Sequence, residues 1–214
     1  MVSSQPNILK GGLVLLNPDT GSVERTLPLL INPSKLTRKF EIKTMGEETG
    51  RSAPLRLTGP ASETITLEAK LEVSDAFERG DEAAQEEGVR PQMAVLQSLV
   101  SPSAQTLVDN DTLQQSGALE IVPMKQPLML FVWGPSQIVP ARILSLSMVE
   151  EFFSPKLFPL SATVSMTLRV LSVDDLGVSS KGGALYLTYL RNIEKSAERV
   201  PDGQAARMGI EGTL

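Results

Sequence analysis

The chain contains no cysteine and no histidine. Without cysteine it has no disulfide, thiol nucleophile or zinc–thiolate site. Without histidine it lacks the commonest general base and metal ligand near neutral pH. Together these absences exclude the Ser-His-Asp and Cys-His mechanisms, and neither a metal nor a cofactor is expected. Aromatic residues are few, with one Trp, two Tyr and six Phe. No apolar run approaches the ~18 residues of a membrane span, the longest being Leu128 to Trp133, so no membrane insertion is expected. The net charge is -5 and the basic residues are dispersed, which argues against a nucleic-acid partner. The N-terminus, MVSSQPNILKGG, shows no charged segment followed by an apolar one. Cytoplasmic assembly is the expectation, and export inside a particle needs no leader.

What the chain does contain is alternation. Its 214 residues are 41% apolar and 21% charged, an ordinary globular balance with material for one good core. From Leu160 to Val170, apolar Leu160, Ala162, Val164, Met166, Leu168 and Val170 alternate with Ser161, Thr163, Ser165, Thr167 and Arg169. That period predicts a long antiparallel strand with one buried and one wetter face. The whole stretch from Gln126 to Leu176 reads as a three-stranded meander. A second clean strand places Ile65, Leu67, Ala69, Leu71 and Val73 on one face, and pairing with the meander is expected. Leu13–Leu16 and Thr26–Ile31 flank the turn cluster Asn17-Pro18-Asp19-Thr20-Gly21 and predict a hairpin. Leu36 to Lys43 reads as a further strand with Leu36, Phe40 and Ile42 inward, and short strands are expected near Leu55–Leu57 and Leu119–Val122.

Two segments have helical spacing. Val89, Met93, Leu96, Leu99 and Val100 predict a helix near 90–100, with Pro91 tolerated in its first turn. Leu187, Leu190, Ile193 and Ala197 predict another over Ala184–Glu198, where Tyr186 and Tyr189 also fit an amphipathic face. The acidic stretch Asp75–Gly88 reads as a solvated loop, bare or carrying one helical turn, Ser101–Pro127 as largely irregular, Gly177–Gly183 as a flexible joint and residues 201–214 as a loose tail. The layout is an all-β core with one inserted helix and a C-terminal helical extension, divided at residues 1–176 and 177–214.

Catalytic and binding patterns are incomplete. Gly177 and Gly182 have the spacing of a phosphate-binding loop but lack the Lys-Ser/Thr that reaches phosphate and magnesium. Asp109-Asn110-Asp111 resembles the opening of a calcium loop, yet Leu113 stands where a third oxygen ligand belongs. Asp81, Glu82, Glu86 and Glu87 supply carboxylates without the aromatic platforms of a sugar cleft. The more telling feature is the connection Val149–Pro159, which holds three of the six Phe residues. Aromatics at a hairpin tip mark a contact surface. Phe152, Phe153, Leu157 and Phe158, with Tyr186 and Tyr189, are therefore the candidate interface residues. Trp133 beside Gly134-Pro135 reads as a core aromatic next to a tight turn.

In order and spacing these segments resemble the tube-type proteins of contractile injection systems, phage-tail-like particles of bacteria, and specifically the baseplate and tube-initiating members. The family's early Asn-Pro segment appears as Leu30-Ile31-Asn32-Pro33-Ser34-Lys35-Leu36. Its threonine-rich strand appears as Glu63-Thr64-Ile65-Thr66-Leu67-Glu68-Ala69-Lys70-Leu71. Its C-terminal pattern is carried by Phe131–Gly134, Ile143–Met148, Glu151, Phe153, Pro155, Pro159, Ala162–Ser165, Leu168 and Val170. The resemblance covers roughly residues 13–176. It implies a tail-tube-like antiparallel β-barrel or sandwich with one inserted helix, and subunits joined into a sixfold ring around a lumen.

The implied partners are further copies of the chain, the inner tube protein, and spike and baseplate proteins. The implied setting is a particle that assembles in the cytoplasm and can be released from the cell. Some family members carry a C-terminal LysM module; none is evident after residue 176. The expected function is that of a baseplate hub or tube initiator linking spike to inner tube, with no catalytic residue. The alternatives are a repeating inner tube subunit and, from another class, a monomeric β-barrel that binds a small ligand.

Overall fold

The computed structural model describes residues 9–17, 20–29, 31–44, 57–73, 77–78, 80–115 and 127–200. Seven strands form one sheet: β1 (Gly12–Leu16), β2 (Val23–Pro28), β3 (Leu36–Glu41), β4 (Ser62–Glu72), β5 (Leu128–Val132), β6 (Ile138–Phe153) and β7 (Pro159–Val170). Their order across the sheet is β2-β1-β5-β6-β7-β4-β3, antiparallel at every junction. The mainly antiparallel β expectation holds. The sheet is open, however, with β2 and β3 as its edges, so the closed barrel is replaced by a single sheet with helices. Helices α1 (Glu82–Glu87), α2 (Arg90–Ser98) and α3 (Ala104–Gln115) lie between β4 and β5. Helices α4 (Val173–Leu176) and α5 (Lys181–Ala197) follow β7.

The core lies where the alternation puts it. Ile65, Leu67, Ala69 and Leu71 of β4 stand opposite Leu168, Met166, Val164 and Ala162 of β7, and all eight are buried. The same face continues through Ala141 and Val139 of β6, Met129 and Phe131 of β5, and Leu15 and Leu13 of β1. Val89, Met93 and Leu96 complete it from the α2 segment, as their spacing predicts. Trp133 stacks on Phe131 with ring centroids 6.0 Å apart, the core role expected of it.

Several elements depart from the sequence reading. Among the described residues, α1 and α3 flank the single inserted helix that the spacing predicts. In the acidic loop, the Asp81 side chain accepts from the Ala84 N–H and starts α1. Ser103 Oγ accepts from the Thr106 N–H at the head of α3, a helix that buries none of its residues. The flexible joint is also absent. Gly177 ends α4, and Gly182 and Gly183 are buried in the first turn of α5, capped by Ser180. A Cβ on Gly183 would stand 2.0 Å from the Gly177 carbonyl oxygen, so this glycine permits close packing rather than motion. The segments expected as strands at 119–122, most of that at 55–57, and the tail at 201–214 lie outside the described residues.

Candidate functional site

Strand lengths divide the sheet into two unequal parts. β5 pairs with β6 only over Ile138–Ala141, whereas β7 pairs with β6 almost to the far end, at Phe153↔Pro159. At roughly 3.3 Å per residue, the 16 residues of β6 extend about 50 Å. From Arg142 onward its other edge meets no strand among the described residues. Among the described residues, the panel β6-β7-β4-β3 therefore has two open edges, the outer side of β3 and the distal part of β6. A β-bulge at Leu144, between Ile143 and Ser145, marks the start of that distal part. Bulges are a common feature of strand edges.

The face of the panel opposite the core is rich in hydroxyl groups. Thr66 of β4 faces Thr37 and Thr167 of its two neighbours, and Ser165 lies between Glu68 and Ser147. Thr163 lies between Lys70 and Val149. Short hydroxyl side chains at alternate positions suit a strand, and with Glu68, Lys70, Glu151 and Arg169 among them they leave this face polar and of mixed charge.

The β6–β7 tip has unusual backbone for its residues. Ser154 Oγ accepts from the Phe158 N–H, and the Leu157 N–H bonds the Ser154 carbonyl, closing a turn over Pro155 and Lys156. Leu157 then sits at φ 62 and Phe152 at φ 54, the left-handed region that costs a side chain about 1–2 kcal/mol. Gly or Asn is the ordinary occupant of the Leu157 position in such turns. Both side chains, and that of Phe153, are exposed. Phe158 folds back: its ring lies 5.6 Å beneath the Arg90 guanidinium and is half-buried.

The tyrosines correct the sequence reading more sharply. Tyr186 and Tyr189 are 5% and 2% exposed, inside the chain's own core rather than on its surface. The helix buries the face of Gly182, Gly183, Tyr186 and Tyr189, while Ile193 is exposed. The reason is polar. The Tyr189 hydroxyl donates to Glu63 at 3.0 Å, and the Arg38 guanidinium donates to the Tyr189 oxygen and to Gln137 Oε1, both at 2.7 Å. Arg38 and Glu63 are also paired at 3.3 Å. Glu63 stands at the end of the core face of β4, four residues before Leu67, and is buried. Burial pushes its carboxyl pKa up, against the opposing hydrogen bond from Tyr189 and charge of Arg38. The same burial, followed by the negative charge of Glu63, pushes the Tyr189 phenol up to about 12. This network clasps α5 to β4 and to the edge strand β3. The charged residue at an alternating position was visible in the sequence, but its partners were not: Arg38 lies on another strand and Tyr189 on the distant helix α5.

A groove of about 1210 Å³ with a mixed apolar and polar lining opens beside the start of the distal part of β6. Ile143, Leu144 and Leu146 line one side, Leu99 and Val100 after α2 another, and Leu176 of α4 a third. At β3, Phe40 and Ile42 were expected inward. Phe40 does lie on the core side, opposite Glu63, but the two residues are 54% and 69% exposed. Nothing among the described residues covers the end of this edge strand.

No protein-family model matches the chain, and no curated protein matches it. Among solved structures, the chain is similar to one in the tail of an empty gene transfer agent particle with C6 symmetry. That match has 12% identity and a TM-score of 0.32, covering 75% of this chain and 90% of the other. A second similar chain belongs to the virion of a native gene transfer agent particle, at 13% identity and a TM-score of 0.28, with 75% and 95% covered. At these scores the likeness does not identify the chain.

Proposed function

We propose that the chain is a structural, ring-forming subunit of a phage-tail-like contractile particle, seated at the baseplate end of the inner tube between spike and tube. One observation carries the reading: a panel of four antiparallel strands in which, among the described residues, the outer side of β3 and the distal part of β6 are unpaired. Because the number of strands is even, β3 and β6 run in opposite directions. Repeating the panel head to tail therefore brings β3 of one copy antiparallel to β6 of the next, continuing the same sheet. Such a heterologous contact closes into a ring when its rotation permits, and it satisfies backbone groups that an open edge leaves to water. The face rich in Thr and Ser then lines the lumen, where a passing substrate meets hydroxyl groups rather than apolar surface.

The tip at Phe152, Phe153 and Leu157 projects from the same panel and serves as a contact with an adjoining ring. The helical insert favours a hub over a repeating tube subunit. Its α3 exposes Leu107 and Val108, and a ring stacked many times on itself tolerates few projections. Quantitative mass spectrometry of sheath-bearing particles from the producing cell checks the assignment. The expected result is about six copies per particle, one ring's worth. Near parity with the main tube protein makes the chain the repeating subunit, and absence from clean particles overturns the reading.

A further inference from the structure

Two features of one molecule complement one another. Phe40 stands on the core side of β3 and Ile42 follows the strand's end; both are exposed, at a sheet edge that no strand among the described residues pairs. The groove beside β6 is open among the described residues and has an apolar side made by Ile143, Leu144 and Leu146, with Arg142, Asp175 and Lys181 elsewhere on its lining. Within one copy these sites lie on opposite edges of the panel. When panels join edge to edge, the faces are continuous, so the core side of β3 from one copy meets the core side of β6 from the next. Ile143 and Leu146 stand opposite the buried Leu168 and Met166 and so belong to that side. Lys39 alternates with Phe40 and falls on the hydroxyl face, as do Ser145 and Ser147, opposite Thr167 and Ser165.

We infer that Phe40 and Ile42 of each copy insert into the β6 groove of the neighbouring copy and specify which edge is joined. The inference rests on the ring reading and deepens it by naming the side chains that the joined edge would receive. A Phe buries about 150–250 Å² when enclosed, and an extended backbone alone would pair with any open edge. The apolar pair thus supplies a preference for this edge over β2, whose exposed residues include Glu24, Arg25 and Thr26.

The absence of native cysteine makes disulfide mapping direct. Chains carrying Phe40→Cys are mixed with chains carrying Leu144→Cys, or in turn Leu146→Cys, and oxidised under assembly conditions. In parallel, Lys39→Cys is mixed with Ser145→Cys or Ser147→Cys on the hydroxyl face. The expected result is a cross-link between chains in both sets. A link on the hydroxyl face with none from Phe40 overturns the inference and leaves the ring reading standing. No link in either set overturns both. A link formed within single chains of a Phe40→Cys/Leu144→Cys double variant shows that the groove is closed by the chain itself, and also overturns the inference. Independently, Phe40→Ser, which places no charge opposite Glu63, is expected to weaken assembly at least about tenfold without altering monomer unfolding. Unchanged assembly overturns the inference.

Discussion

Replacing Arg38 with alanine is expected to lower stability by about 2–3 kcal/mol and the melting temperature by roughly 5–10 °C. The variant leaves Glu63 buried with only the Tyr189 hydroxyl to stabilise its charge. Removing one partner of a fully buried pair costs about 3–5 kcal/mol. The lower figure applies because the Arg38 side chain is 22% exposed against 5% for Glu63, so water compensates in part.

The pH dependence has a definite sign. Burial raises the folded-state pKa of Glu63 above its ordinary value of 4.5. Its favourable contribution is therefore complete below the unfolded pKa and is lost as pH rises through the folded one. Without Arg38 the folded pKa moves higher still. The deficit of the variant should be largest near neutrality and shrink in acid, where the carboxyl is protonated in both proteins. A deficit independent of pH would mean that Arg38 acts through packing alone. Both tyrosines of the chain lie in α5, so tyrosinate absorbance reports on this helix only. In the intact protein its rise should occur well above pH 10, consistent with Tyr189 at about 12. The stabilisation tied to the neutral phenol is present below the unfolded value of 10 and lost as pH rises towards 12.

Gly88→Ala is expected to be at least as damaging, at about 3–4 kcal/mol. Gly88 ends α1 at φ 59 and ψ -132, a conformation that only glycine adopts readily. An added Cβ would also stand 2.1 Å from the Pro159 carbonyl oxygen. The same carbonyl accepts from the Val89 N–H at 2.9 Å, so relief of the clash would pull the insert off the start of β7. Val89, Met93 and Leu96 would then lose their place in the core. Gly134→Ala isolates the conformational share of the effect. Gly134 has φ 85 but nothing within 4 Å of a built Cβ, and its loss should be near 1 kcal/mol. Equal losses at the two positions, measured by chemical denaturation, would contradict the packing argument.

The parts of the fold legible in the sequence were those with local periodicity. β4 and β7 were readable because every second residue over their length is apolar, and α2 because its apolar residues recur three or four apart. α3 was missed, and α1 was read as no more than a single turn, because side-chain caps and Gln–Asp pairs such as Gln105–Asp109, at 2.8 Å, define them rather than an apolar stripe. The Ser172–Asp175 capping box of α4 was available as a local signal. The inward face of α5 was read one position off because leucine was weighted over tyrosine, whose hydroxyl needs a buried partner that only the tertiary fold supplies. Closure of the sheet was not legible at all. Alternation fixes which face a residue takes, whereas closure depends on whether β2 and β3 meet. Of the candidate contact residues, Phe152, Phe153 and Leu157 are exposed at the tip, as hairpin position suggested. Phe158 was drawn inward by Arg90, a residue on a different element.

The central claim is that copies of this chain join through β3 and the distal part of β6 into a closed ring. Its most direct test is the chain carrying both Lys39→Cys and Ser147→Cys, oxidised after assembly and resolved by mass under denaturing, non-reducing conditions. Each copy then links to both neighbours. The account predicts a ladder of covalent multimers ending sharply at a closed species of about six chains, which reducing agent returns to monomer. A product that remains monomeric, or a ladder that stops at the dimer, would contradict it.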